Sequence, residues 1–104
     1  MIAYKLTGSF YESVGCPPEV RLFYMPGLVL HAQPHEEHFR FPDGRLYFFR
    51  DRGYAWDFLQ DHIRGQWGFY EHMMECEVPD DSEEYSRHIV VAKECKVIQE
   101  IYVP

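Results

Sequence analysis

Three histidines, His31, His35 and His38, stand within eight residues and enclose Glu36 and Glu37, a mixture of imidazole and carboxylate that can ligate a divalent cation. Pro34 interrupts the run, so a continuous helix cannot carry the three rings on one side, and neither a cysteine nor a tighter histidine pair completes a structural zinc pattern. The segment reads as a solvated loop carrying histidines, and no metal is expected. Cys16, Cys76 and Cys95 are odd in number and share no CxxC spacing, which fits reduced thiols better than a disulfide scaffold. Cys16 is followed by Pro17 and Pro18 and has no Lys, Arg or His beside it to favour a thiolate, so a rigid corner is the simpler reading. No GxSxG or P-loop motif occurs, and the histidines near acids have no Ser or Cys nucleophile placed beside them.

The carboxylates carry a stronger signal. Between Glu71 and Glu84 there are seven acids (Glu71, Glu75, Glu77, Asp80, Asp81, Glu83 and Glu84) and no Lys or Arg, while the rest of the chain carries ten acids and ten bases. The whole net charge of −7 therefore sits in one stretch. Such a run either keeps a surface solvated or forms a docking surface for a basic partner, mimicry of a phosphate backbone included. Nucleic acid and anionic membrane are disfavoured as direct partners, because both require clustered Lys and Arg.

A length of 104 residues implies one domain over 1–104, large enough for a real core, and an aromatic content of 17% implies that rings build much of it. Met1 to Phe10 lacks the apolar stretch of a signal peptide, and no apolar run approaches the ~20 residues needed to span a bilayer. The expected location is the cytoplasm, of the parent cell or of a host.

The elements that must position these groups centre on Gly44 to Gly65. Leu46 to Phe49 reads as a short strand opened by the turn pair Asp43-Gly44. A helix over about 53–64 follows, with Asp51 or its neighbours at the N-terminal cap, Gly65 as the stop, and Ala55, Phe58, Leu59, His62 and Ile63 on one face. Trp56 falls one step off that stripe and should be partly exposed. Ile2 to Thr7 alternates as a first strand. Val20 to Tyr24 and Leu28 to His31 read as a hairpin across the type II turn signal Met25-Pro26-Gly27.

Farther on, Phe69 to Val78 places Tyr70, His72, Met74, Cys76 and Val78 on a core face and Glu71, Met73, Glu75 and Glu77 on a wet one. Ser82 to Arg87 reads as a polar connection and His88 to Ala92 as a buried strand. Lys93-Glu94 reads as a tight turn, and Cys95 to Val103 as a last strand with Val97, Ile101 and Val103 on one face. The expected fold is α+β: six or seven mainly antiparallel strands and one main helix.

The first strand, the Leu46-Tyr47-Phe48-Phe49 strand running into an Ala55-containing helix, a strand ending in Val78-Pro79, and Glu84-Tyr85 before two closing strands together resemble the small ADP-ribosyltransferase-like domains. The resemblance implies NAD as cofactor and transfer of its ADP-ribose to a protein partner. It implies Lys5, within Tyr4-Lys5-Leu6-Thr7, at the ribose or phosphates, where the family carries His or Arg. Tyr47 would lie against the nicotinamide, Tyr4 and Phe48 would flank the cofactor, and Glu84 would be the catalytic acid. A carboxylate there would stabilise the oxocarbenium-like sugar formed as the glycosidic bond breaks.

The rival class is a small acidic non-enzymatic protein of the inhibitor or immunity type, for example phage-encoded. It would block a basic partner surface through residues 71–84, with Glu71, Glu75, Glu77, Asp80, Asp81 and Glu83 making the contact and rings such as Trp56 or Trp67 supplying anchoring area.

Overall fold

A computed structural model describes residues 1–14, 21–32, 45–64 and 70–102, with backbone alone for 62–64. The described residues form strands β1 (Ile2–Thr7), β2 (Val29–His31) and β3 (Leu46–Phe49), helix α1 (Arg52–Arg64), and strands β4 (His72–Glu77), β5 (Glu83–Ser86), β6 (Ile89–Ala92) and β7 (Glu94–Glu100). All seven strands join one antiparallel sheet in the order β2-β7-β4-β1-β3-β6-β5. The α+β expectation and the single helix hold. No helix among the described residues is long and apolar enough to cross a membrane.

The connection from β6 to β7 dictates the shape of this sheet. Lys93 alone separates the two strands, although β3, β1 and β4 lie between them in the hydrogen-bonded order. A flat sheet would hold them roughly 19 Å apart at four strand spacings, whereas two residue steps span at most about 7 Å. The sheet must therefore roll upon itself and enclose one face. That inner face holds Ala3, Tyr24, Phe48, Met74, Cys76, Val78, Val90, Cys95 and Val97 in a single buried cluster, to which both β6 and β7 contribute although three strands separate them in the order. Lys93 is thus a kink between strands with different neighbours, not part of the tight turn expected at Lys93-Glu94.

Helix α1 lies against the outer face. Ala55 and Leu59 are buried with Leu6 of β1 and Met73 of β4, and Tyr4, Phe49, Trp56, Phe58, Tyr70 and Ile101 pack around them. Leu59 is 3% exposed and Trp56 half-buried, so the helix phase read from the apolar spacing is the observed one. Met73, expected on a wet face, is buried because the helix covers it. The Asp51 carbonyl accepts the Ala55 N–H at 3.0 Å, while its carboxylate lies 3.2 Å from His88 Nδ1. Tyr54 stacks on the His88 ring at 3.9 Å, so the start of the helix is tied to the end of the β5–β6 turn.

Met25 to Leu28 forms the expected turn: the Leu28 N–H reaches the Met25 carbonyl at 3.2 Å, and Gly27 takes φ +89°, the left-handed value that favours glycine at its third position. The hairpin across it does not form. Phe23 makes an isolated bridge to Glu12, and β2 pairs with β7 instead. Glu83 to Ser86, expected as a connection, is strand β5, completed by pairing with β6. His35, His38, Cys16, Gly65 and Trp67 lie outside the described residues, as does the side chain of Ile63. His31 is described, on β2, with its Nδ1 3.6 Å from Glu94 Oε2.

Candidate functional site

Strand alternation decides which groups share a face. Tyr4 is paired directly with Phe49, so Tyr4, Tyr47 and Phe49 project outwards, while Ala3, Lys5, Phe48 and Thr7 project inwards. Lys5 Nζ lies 5.3 Å from the Tyr24 ring centroid and 5.7 Å from that of Phe48, and donates to the Tyr47 carbonyl at 2.9 Å. A cation over two ring faces is held by their quadrupoles while its stem packs in the core. Phe48 itself is 1% exposed. The Tyr47 ring stands edge-on to Tyr85 at 5.1 Å, on the opposite side of the sheet from the Lys5 stem.

Glu84 is on β5, at the edge, with β6 between it and the strand of Tyr47, and with β6 and β3 between it and the strand of Lys5. Its carboxylate is 3.7 Å from Arg50 Nη1 and 56% exposed. The residues assigned to NAD are therefore not gathered into one cleft. Lys5 and Phe48 face the interior, Tyr4 and Tyr47 face outwards, and Glu84 pairs with an arginine at the sheet edge.

The acidic run is also divided. The Asp80 carboxylate meets the Met1 amino group, which donates to it and holds its pKa below the usual carboxylate value. Glu83 pairs with Arg45, and Glu84 with Arg50. These three acids are compensated within the chain. Glu75 and Glu77 differ. They stand opposite Tyr4 and Ile2 on the outer face of β4, and among the described residues neither has an ion pair. Glu75 accepts a hydrogen bond from Gln99 Nε2 at 2.9 Å, and Lys96 lies across from Glu77 in register. Exposed Glu71 and Asp81 likewise lack an ion pair among the described residues.

The helix leaves this part of the sheet open because a single rod of 13 residues, about 20 Å long, cannot cover seven strands. Its contacts fall on β1, β3 and β4. Beyond the side chains packed under the helix, Ile2 stands opposite Glu77 at 38% exposure, and Ile98, the bulge residue, is 38% exposed next to Gln99, which pairs with Glu75. Trp56 and Tyr4, both half-buried, pack in the cluster under the helix. The exposed apolar side chains Ile2 and Ile98 thus lie near two carboxylates, Glu75 and Glu77, that have no ion pair among the described residues.

A second arrangement, invisible in the sequence, sits inside the roll. Glu75 pairs with Gln99 but Cys76 with Val97, so Ile98 is an extra residue and the alternation of β7 changes phase there. Val97 consequently packs in the inner cluster while Ile101 joins the outer one, not the shared face expected from the sequence. The shift turns Glu100 inwards. Its Oε1 accepts the Tyr11 hydroxyl at 2.9 Å, its Oε2 lies 3.0 Å from His72 Nδ1, and the Tyr11 ring stacks on that imidazole at 4.2 Å. Tyr11 has φ +63°, a left-handed conformation uncommon outside glycine, fixed by its N–H on the Gly8 carbonyl and its carbonyl on the Tyr24 N–H. The trio fastens the 8–13 loop to the sheet. No protein-family model, curated protein or solved structure matches the chain.

Proposed function

We propose that this protein is a small non-enzymatic binding module of the inhibitor or immunity type, which docks on a basic protein surface through the outer face of β4. The observation that carries the reading is the contrast among the acids. Asp80, Glu83 and Glu84 are neutralised by groups of the same chain, whereas half-buried Glu75 and exposed Glu77 have no ion pair among the described residues and stand near exposed Ile2 and Ile98. Exposed carboxylates attract a basic surface over roughly a Debye length, about 8 Å at physiological salt, and so speed and orient the encounter. Ile2 and Ile98 then supply area that gains from losing water. Neither nucleic acid nor an anionic bilayer suits a chain of net charge −7 as direct partner, and a cytoplasmic setting accords with its buried free thiols.

The reading is tested by titrating the protein with an amphipathic Lys/Leu peptide in low and physiological salt. Binding should weaken as salt rises and disappear in Glu75→Lys/Glu77→Lys, with the folded spectrum and thermal midpoint unchanged. Equal binding by that variant would remove the β4 face from the account.

A further inference from the structure

The 8–13 loop is built more tightly than a connection between strands requires. The Gly8 N–H donates to the Glu12 carbonyl at 3.0 Å, and the Glu12 carboxylate folds back to accept the Phe10 N–H at 2.8 Å. That carboxylate fills the space a side chain at position 8 would need, since a Cβ there would collide with Glu12 Oε1. Ser13 ties the far end: its N–H donates to the Leu22 carbonyl at 2.8 Å, and its hydroxyl accepts the Leu22 N–H at 3.1 Å. Between these ties Tyr11 is kept at φ +63° by its backbone bonds and by Glu100 and His72, and strain of that kind persists only where the surroundings over-determine it. What the framework holds out is Phe10, whose ring is 77% exposed.

We propose that Phe10 is a preorganised anchor, which inserts into an apolar pocket rimmed by Lys or Arg on the same basic partner that meets Glu75 and Glu77. The inference rests on the docking reading and adds the residue that fixes the partner in place. Charge complementarity sets the rim of the pocket. Glu12, and Glu71, whose N–H donates to the Thr7 carbonyl at 2.8 Å just before the loop, have no ion pair among the described residues. Exposed apolar groups also continue from the β4 region to this end of the sheet. Tyr102, 78% exposed, is close enough to Tyr11 for its charge to act on that hydroxyl, and it follows Ile98 by four residues, roughly 13 Å of extended chain. An aromatic ring buried at an interface gains from its large apolar area, and here the loop is ordered before the partner arrives, so little conformational entropy remains to be lost. The roles divide by range: the carboxylates act before contact and speed the encounter, whereas the ring acts only in contact and slows departure.

The test titrates the full chain by calorimetry, in low and physiological salt, with an amphipathic Lys/Leu peptide of about 18 residues, about 27 Å long as a helix and so able to reach from the β4 face to the loop. Phe10→Ser should lower the affinity at least about tenfold while leaving its salt dependence as in the parent, because no charge is lost. Gly8→Ala keeps Phe10 and every charge but displaces the Glu12 carboxylate from the Phe10 N–H. It should lower the affinity about threefold, as the loop must then be ordered on binding. Circular dichroism checks that each variant is folded, and in the parent complex the Phe10 ring resonances, identified by their loss in Phe10→Ser, should shift when peptide is added. Parent affinity in Phe10→Ser, or unshifted Phe10 resonances in a complex that forms, overturns the anchor, while the docking face is judged separately by Glu75→Lys/Glu77→Lys. Parent affinity in Gly8→Ala overturns the preorganisation, and a parent chain that does not bind the peptide overturns both readings.

Discussion

His72 Nδ1 and Glu100 Oε2 lie 3.0 Å apart although 28 residues separate them, because the bulge at Ile98 turns Glu100 to the inner face. The Glu100 side chain is 12% exposed and also accepts from Tyr11. Replacing it removes two charge-assisted contacts and strands their partners, so Glu100→Ala should cost about 2–3 kcal/mol in urea unfolding. A change within about 0.5 kcal/mol, the range of ordinary surface substitutions, would show that the trio does not fasten the loop.

The Tyr11 hydroxyl is held above its ordinary value of 10.0, first because it donates to Glu100 and then through burial and the nearby Glu100 charge. A raised pKa in the folded state means that the associated stability is fully present below pH 10 and lost as pH rises through the folded value. Stability should accordingly fall on the alkaline side of that pH, and Tyr11→Phe should flatten that part of the profile. An identical alkaline slope in the variant would assign the loss to other groups.

Leu59 is 3% exposed between α1 and the residues Leu6 and Met73. Leu59→Ala should cost about 2–5 kcal/mol through lost burial and the cavity left behind, and Leu59→Asp should unfold the domain, since an unpaired carboxylate would sit in apolar surroundings. A folded Leu59→Asp protein, judged by its near-ultraviolet circular dichroism, would contradict the packing described for the helix.

What could be read in the sequence follows the range of the forces involved. Strand β1, the strand-to-helix unit around Tyr47 and Leu59, and the Met25 to Leu28 turn are specified by local periodicity, capping and turn chemistry. Strand β5 is not, because Glu83, Glu84, Tyr85 and Ser86 are all exposed and extend only by pairing with β6. The kink at Lys93 and the bulge at Ile98 depend on partners from distant parts of the chain, and both alter which side chains meet. For the same reason the division of the acidic run is hidden in the sequence: arginines at positions 45 and 50, far away along the chain, neutralise Glu83 and Glu84 but not Glu75 and Glu77 on β4.

NAD provides a check on the alternative implied by the family resemblance. With Lys5 and Phe48 directed inwards, Tyr47 outwards and Glu84 paired with Arg50 at the edge, calorimetric titration of NAD should give no binding heat, and no nicotinamide should be released. Nicotinamide release that falls roughly 10²–10³-fold in Glu84→Gln while NAD affinity is kept would establish catalysis by that carboxylate and overturn the non-enzymatic reading.

The docking account rests on a difference between two pairs of glutamates, and one comparison measures it. Affinity for the amphipathic Lys/Leu peptide should be determined by calorimetry at one fixed low salt for the parent chain, for Glu75→Gln/Glu77→Gln and for Glu83→Gln/Glu84→Gln. Glu83 and Glu84 already pair with Arg45 and Arg50, whereas Glu75 and Glu77 have no ion pair among the described residues. The account predicts at least a tenfold loss of affinity, about 1.4 kcal/mol, for the β4 pair and little change for the β5 pair. Equal losses in the two variants, or a loss confined to Glu83→Gln/Glu84→Gln, would contradict it.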